Sequence, residues 1–185
     1  GWVLKLFTIN KDIMSYQRDA NDLPKPSFKS TILNDVQDKA KVDILKIQEH
    51  SYKPIVLEGV TGSGKTEVYF DLIEREINES KQILIMVPEI SLTPQLENRF
   101  KERFGIEISV WHSKISPKRR KEIWHKCYEG EPLVVIGARS SLFLPFKNLG
   151  LTVIDEEHDS SYKQEDSIRY QARDLAVVKA NYEKS

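Results

Sequence analysis

The residues with the most specific chemistry form a short glycine-rich run in the first half of the chain. The run fits the pattern G-x-x-x-x-G-K-[ST], in which backbone N–H groups surround a polyphosphate. In this pattern the lysine, here Lys65, reaches the outer phosphates, and the next hydroxyl, here Thr66, binds Mg²⁺. A glycine-rich turn without a ligand is the alternative, but a chance match has a probability on the order of 1%. The sequence therefore predicts a polyphosphate site at Gly59, Thr61, Gly62, Ser63, Gly64, Lys65 and Thr66.

A second set of candidate functional residues is the run Asp155-Glu156-Glu157-His158, which follows the apolar residues 151–154. Ligands of open α/β sheets bind at the carboxyl edge of the strands, so we expect these acids to face the phosphate loop. Asp155 can then hold Mg²⁺ together with Thr66. Glu156 can orient and deprotonate an attacking water. An ordinary solvated turn is the alternative, and it is the weaker interpretation beside a phosphate loop.

Strands and helices predicted from the apolar pattern position both motifs. A helix that begins at Lys65 directs its free N–H groups and the positive end of its dipole at the phosphates. Short turns join alternating strands and helices, which predicts an α/β fold with a mostly parallel sheet and helices on both faces. Strands are predicted at 55–57, 83–87, 106–110, 133–136 and 151–154, and helices at 33–51, 65–77, 94–104, 117–129 and 171–181.

Length and composition limit the possible classes of protein. The 185 residues suit one sizeable domain, and we expect residues 1–30 to be an N-terminal extension or linker and residues 31–185 to form the domain. The 28 basic and 28 acidic residues cancel, so any surface that attracts nucleic acid must be local. The single cysteine, Cys127, excludes an internal disulfide and a Cys-cluster zinc site, which suits a reducing cytosol. No apolar run approaches the roughly 20 residues of a membrane span.

Longer stretches around the two motifs resemble a known family, the bacterial primosomal replication-restart helicases, which are superfamily-two enzymes with a DExH box. The resemblance covers about residues 31–180 and implies the first RecA-like P-loop NTPase lobe of such a helicase. Because the chain also begins without a methionine, we expect a fragment of a longer protein. The stretches that carry the resemblance are residues 59–69, Val87-Pro88-Glu89-Ile90-Ser91-Leu92-Thr93-Pro94-Gln95, residues 155–164 and Arg169-Tyr170-Gln171-Ala172-Arg173-Asp174-Leu175-Ala176.

This resemblance implies ATP and Mg²⁺ as cofactors and single-stranded or forked DNA as the nucleic-acid partner. It also implies a second helicase lobe, other primosome proteins and the single-strand-binding protein as partners, in the bacterial cytoplasm at replication forks. The family's zinc-binding cysteines, Ser-Ala-Thr motif and arginine finger are not found in this sequence. An absent arginine finger can cost about 10³ to 10⁵ in rate, so we expect the isolated chain to bind ATP with little turnover.

Further site residues follow from the resemblance. Gln37 stands where the family carries a glutamine that reads the adenine edge, although a lone glutamine on a helix is often only solvated. Residues 87–93 and the loop around Arg139 resemble contacts to the single-strand backbone. Residues 158–173 resemble an aromatic-rich loop that couples DNA binding to hydrolysis, and Ile168 replaces an aromatic residue common in the family. The coupling residues implied there are His158, Tyr162, Lys163, Arg169, Tyr170 and Arg173, with the two tyrosines expected to stack on bases.

Other functions compete with this interpretation. A nucleotide-dependent binding module would use ATP only to switch a surface for a partner. A P-loop kinase or GTPase is less compatible with the Asp-Glu-Glu-His run. The basic and aromatic residues between Trp111 and Trp124 are interpreted as a solvated helix face with packed tryptophans rather than as a nucleic-acid site.

Overall fold

The apolar runs of the sequence form one parallel sheet in the computed structural model, which describes residues 32–50, 54–60, 62–164 and 169–183. The strand order is β2-β3-β1-β4, and every pairing is parallel, which confirms the predicted α/β fold. The extension predicted at residues 1–30 lies outside the described residues. The strands are β1 Gln82–Met86, β2 Ser109–Trp111, β3 Leu133–Gly137 and β4 Leu149–Ile154.

Five helices flank the sheet in the described part of the chain. They are α1 Asp35–His50, α2 Lys65–Asn78, α3 Pro94–Phe104, α4 Pro117–Glu129 and α5 Ala172–Glu183. Short 3₁₀ helices lie at Glu89–Ser91, Arg139–Phe143 and Ser160–Tyr162, and a small antiparallel hairpin pairs β5 Lys163–Gln164 with β6 Tyr170–Gln171. None of the helices in the described ranges is long and apolar enough to cross a bilayer.

Local sequence sets both ends of α3 and α4, and their bounds agree with the helices predicted at 94–104 and 117–129. Thr93 accepts a hydrogen bond from the N–H of Leu96, and Ser116 accepts one from the N–H of Arg119. A proline follows each of these caps at the first helical position. Both helices end at a glycine with positive φ, Gly105 at 65° and Gly130 at 80°, a conformation that side-chain-bearing residues rarely adopt.

Two apolar cores lie on opposite faces of the sheet because successive strand residues point to opposite sides. In β1, Ile83 and Ile85 pack against the core formed with α1, α2 and α3, whereas Leu84 and Met86 pack against the core formed with α4 and α5. Cys127 lies fully buried in the second core, where burial raises the pKa of its thiol to about 12. It is therefore an unreactive packing residue rather than a nucleophile.

The strand predicted at 55–57 is wrong: residues 54–60 form no strand, and no strand in the described ranges pairs with them. Ile55 and Leu57 are half-buried against the first core, but Val56 is 74% exposed. The apolar pattern thus located the two side chains that reach the core. A strand also needs a neighbour for its backbone hydrogen bonds, and three apolar residues do not specify one.

A buried glutamine joins the amino end of the sheet to the end of α4. Gln82 is 0% exposed, and its Nε2 lies 3.1 Å from the carbonyl oxygens of Lys126, Cys127 and Glu131. Its Oε1 accepts hydrogen bonds from the N–H groups of Lys147 and Asn148, both at 2.9 Å. One side chain therefore satisfies the buried backbone of two separate turns.

Replacing this glutamine by an apolar residue of similar size should strongly destabilise the fold. We expect Gln82→Met to lower the free energy of unfolding by about 3–5 kcal/mol, because several buried backbone groups lose their partners. The change is measured as a shift in the urea denaturation midpoint of this chain. Lys81→Met is the matched control, since Lys81 makes one hydrogen bond to Asn148 and should cost less than about 1 kcal/mol. Equal midpoints for the two variants would contradict this role of Gln82.

Candidate functional site

The phosphate loop turns into α2 through two glycines with positive φ, Gly62 at 81° and Gly64 at 83°. Gly64 is the residue that precedes the helix, and its carbonyl accepts a hydrogen bond from the N–H of Glu67 at 3.0 Å. A Cβ on Gly64 would collide with Nε2 of Gln37. The positive φ therefore favours glycine at this position, and the flexible Gln37 side chain would have to move to admit a larger residue. Thr61 lies outside the described residues.

The lysine of the motif folds back over its own loop. Its Nζ donates hydrogen bonds to the carbonyl oxygens of Gly59, at 2.5 Å, and Val60, at 3.2 Å. The helix that begins at Lys65 directs its first N–H groups toward the same region. Charged and neutral donors thus converge on the mouth of the loop, an arrangement suited to a polyphosphate.

Gln37 is tied to both the start of α1 and the phosphate loop. Its backbone N–H donates to Oδ1 of Asn34, while its Oε1 accepts from the backbone N–H of Asn34, both at 3.0 Å. This reciprocal pair is a capping box. Its Nε2 donates to the carbonyl of Ser63 at 3.1 Å. The carboxamide is engaged at both ends, so adenine recognition by Gln37 stays a prediction, and the capping box is a role that the sequence interpretation missed.

The acidic run follows β4 directly, at the carboxyl edge of the sheet. The N–H of Asp155 donates to the carbonyl of Met86 at 2.9 Å, which continues the pairing of β4 with β1. Oδ1 of Asp155 accepts a hydrogen bond from the N–H of Glu156 at 3.0 Å, and Oδ2 accepts one from the Tyr69 hydroxyl at 3.1 Å. Both carboxylate oxygens therefore have a fixed donor.

Tyr69 connects the acidic run to the phosphate loop, from which Asp155 is remote in sequence. Burial, reinforced by the charge of Asp155, raises the pKa of the Tyr69 hydroxyl, whereas a hydrogen bond with the Thr66 side chain acts in the opposite direction. The hydroxyl, about one helical turn after Thr66 on α2, therefore bonds a carboxylate 86 residues further along the chain. The structure brings the acidic run to the helix that carries Thr66, and Mg²⁺ binding by Thr66 and Asp155 stays a prediction.

These residues fit the chemistry of a magnesium site. A carboxylate and a hydroxyl are the hard oxygen donors that Mg²⁺ prefers, and Mg²⁺ usually takes its remaining ligands from water and substrate phosphates. The described residues contain no cluster of three or more His, Cys, Asp or Glu side chains that could hold a metal ion. Thr66 and Asp155 can supply the protein side of such a site beside the phosphate loop.

Glu156 adopts a backbone conformation that is uncommon for a residue with a side chain. Its φ is 49°, in the left-handed region, and its carbonyl accepts a hydrogen bond from the N–H of Asp159 at 2.8 Å. The tight turn leaves the Glu156 side chain exposed immediately beside Asp155. Backbone strain of this kind concentrates at functional sites, which agrees with the predicted catalytic position of this carboxylate.

The expectation that Tyr162 stacks on a base is contradicted by its burial. The side chain is 0% exposed within the second core, so no face of its ring is available to a base. Its hydroxyl instead donates to the backbone carbonyl of Asp155 at 2.7 Å. A buried tyrosine thus anchors the segment after the acidic run to the acidic run itself.

Arg139 holds the same segment from the side of β3. Its Nη1 donates to the carbonyl oxygens of Ser161, at 3.3 Å, and Lys163, at 2.5 Å. The guanidinium is partly buried by these contacts. The structure therefore joins Arg139 to the predicted coupling segment, and a contact between Arg139 and a DNA phosphate stays a prediction.

The remaining predicted coupling residues lie around the small hairpin. Tyr170 is half-buried and packs edge-on against Phe143, with ring centroids 5.5 Å apart, and burial raises its pKa. Arg173 forms ion pairs with Glu157, at 2.8 Å, and Asp174, at 3.1 Å. Ile168 lies outside the described residues. The side chains that are exposed, and so accessible to a nucleic acid, are His158, Lys163, Arg169 and Arg173.

Comparison with known proteins identifies the family to which the chain belongs. The profile of the DEAD/DEAH box helicases matches residues 34–184, and the chain belongs to that family. It is similar to the replication restart protein PriA of Rickettsia felis, with 52% identity over 156 residues, which are 84% of this chain and 24% of that protein. PriA of Haemophilus influenzae is 55% identical over 125 residues, which are 68% of this chain and 17% of that protein.

PriA of Bacillus subtilis is 48% identical over 136 residues, covering 74% of this chain and 17% of that protein. The chain therefore spans about a quarter or less of the length of these curated relatives. These relatives confirm the resemblance to the replication-restart helicases that the motifs indicate.

Proposed function

We propose that this chain is the ATP-binding motor lobe of a DNA helicase that acts in replication restart and primosome assembly. Residues 31–185 form this first RecA-like lobe, and residues 1–30 are an extension that precedes it. The observation that carries the proposal is the hydrogen bond from the Tyr69 hydroxyl, on the helix that follows the phosphate loop, to Asp155 of the acidic run. This contact supports the proposal, because the phosphate loop and the acidic run of a P-loop NTPase act on the same nucleotide.

The site residues then have separate tasks. The backbone N–H groups of the loop and the start of α2 bind the phosphates. Lys65 exchanges the carbonyls of Gly59 and Val60 for the outer phosphates and stabilises the charge that develops there. Thr66 and Asp155 hold Mg²⁺, which offsets phosphate charge when bound. Glu156 orients the attacking water and accepts its proton.

Coupling to DNA follows from the connections of Asp155. Its carbonyl is bonded to Tyr162, and the residues around Tyr162 are held by Arg139. We propose that a single strand bound along residues 87–93 and 137–140 shifts this segment and thereby Asp155. The exposed basic side chains of the segment meet backbone phosphates, and the nucleotide state reaches them through His158.

Turnover of ATP by the full-length protein with and without single-stranded DNA tests the proposal. We expect DNA to raise turnover, whereas this 185-residue chain alone should bind ATP with little turnover, since the lobe that carries the arginine finger is required for the full rate. ATP binding by the full-length protein without turnover under either condition would favour the nucleotide-dependent binding module. If the full-length protein does not bind ATP, the assignment of the phosphate loop as an ATP site is wrong.

A further inference from the structure

Two buried tyrosines hold Asp155, and they hold different atoms of it. Tyr69 donates from α2 to the carboxylate oxygen Oδ2, and Tyr162 donates from the following segment to the backbone carbonyl. Tyr69 is 8% exposed and Tyr162 is 0% exposed. Because Tyr69 is buried, its hydroxyl is not among the groups proposed to contact nucleotide or DNA. Its hydrogen bond to Asp155 therefore needs a separate explanation.

The position of the Tyr69 hydroxyl is set by the packing of its ring in the core. Its ring packs edge-on against Phe70, with centroids 5.3 Å apart. Phe70 in turn lies 4.6 Å from the ring of Phe100 and 5.2 Å from that of Phe104, and all three phenylalanines are at most 1% exposed. Close-packed aromatic rings of this kind leave the hydroxyl little freedom to move.

A fixed donor on each oxygen fixes the plane of the Asp155 carboxylate. The N–H of Glu156 holds Oδ1 and the Tyr69 hydroxyl holds Oδ2. Without the hydroxyl, the carboxylate can rotate about its terminal torsion, which is broad for aspartate. Such outer contacts orient metal-binding groups, and their loss commonly costs 10- to 100-fold in metal affinity or activity.

We propose that Tyr69 is a positioning residue that aligns the Asp155 carboxylate with the Thr66 hydroxyl for Mg²⁺ in the nucleotide complex. This inference rests on the proposed function, since it deepens the role of the same site. Tyr69 touches neither nucleotide nor water in this role and acts through Asp155.

Binding of a fluorescent ADP analogue to the full-length protein, titrated with Mg²⁺ and repeated in EDTA, tests this role without relying on turnover. For Tyr69→Phe we expect the Mg²⁺ concentration at half-maximal tight binding to rise about 10-fold, with unchanged affinity in EDTA. Tyr128→Phe is the matched control, because Tyr128 is half-exposed near the end of α4, where its ring stacks on Trp124 and does not contact Asp155. It should leave the Mg²⁺ titration unchanged.

A double-mutant cycle keeps the inference falsifiable if either variant is destabilised. In an Asp155→Asn background, Tyr69→Phe should add less than a twofold shift, since Tyr69 acts only through the carboxylate. A Tyr69→Phe variant that titrates like the wild type, or one that weakens nucleotide binding equally in EDTA, overturns the positioning role. If the nucleotide affinity of the wild-type protein does not depend on Mg²⁺, the proposed function is contradicted instead.

Discussion

Glu156→Gln in the full-length protein is expected to lower DNA-stimulated ATP turnover about 10²- to 10⁴-fold, the usual contribution of a general base. The side chain keeps its size and can still contact a water, but the amide accepts no proton at neutral pH. ATP binding should stay within a few-fold of the wild type, because Lys65, Thr66 and Asp155 hold the phosphates and metal. Steady-state turnover and equilibrium nucleotide binding, measured on the same preparation, separate the two effects.

Glu157→Gln is the matched control for this substitution. Glu157 is the next residue, carries an exposed carboxylate and forms an ion pair with Arg173 at 2.8 Å. Breaking an exposed pair of this kind has a small energetic cost, so basal turnover without DNA should change less than about threefold. If the two variants turn over ATP equally fast when both are measured without DNA, the catalytic assignment of Glu156 is wrong.

Lys65→Ala is expected to lower ATP turnover about 10²- to 10³-fold, the cost of removing one preorganised donor to a developing charge. Nucleotide binding should weaken as well, because the ammonium lies at the mouth of the loop on the carbonyls of Gly59 and Val60. The measurement is turnover of the full-length protein at saturating DNA, together with the dissociation constant of ATP.

Lys81→Ala provides the control for loss of a lysine from the same lobe. Lys81 precedes β1 at the opposite edge of the sheet and donates to Oδ1 of Asn148 at 3.1 Å. Its loss should leave turnover within about twofold, as expected for a substitution away from the site. Wild-type turnover and ATP affinity in Lys65→Ala would exclude the phosphate loop as the nucleotide site.

Features set by near neighbours in the sequence were predictable. The bounds of α3 and α4 were predicted correctly, because the caps at Thr93 and Ser116 and the glycines that end both helices each depend on a few adjacent residues. The parallel sheet followed from continuous apolar runs that must be covered on both faces. The predicted strand at 55–57 did not form, because strand pairing depends on a partner distant in sequence.

Residues whose roles depend on distant partners were missed or misread. Tyr69 lies in the helix predicted at 65–77, but the direction of its hydroxyl toward Asp155 depends on the packing of α2 against the end of β4. The resemblance implied that Tyr162 stacks on a base, whereas tertiary packing buries its ring completely. Gln82 is an ordinary polar residue at a strand start, so nothing in the sequence indicated that its side chain makes five hydrogen bonds to backbone groups.

A crystal structure of the full-length protein with Mg²⁺ and a non-hydrolysable ATP analogue tests most directly whether the phosphate loop and the acidic run form one ATP site. The triphosphate should lie within residues 59–66, with Nζ of Lys65 bonded to an outer phosphate and no longer to the carbonyls of Gly59 and Val60. The side chains of Thr66 and Asp155 should face the metal. An analogue bound elsewhere, with Lys65 still on its two carbonyls, would contradict the ATP-binding role of this lobe.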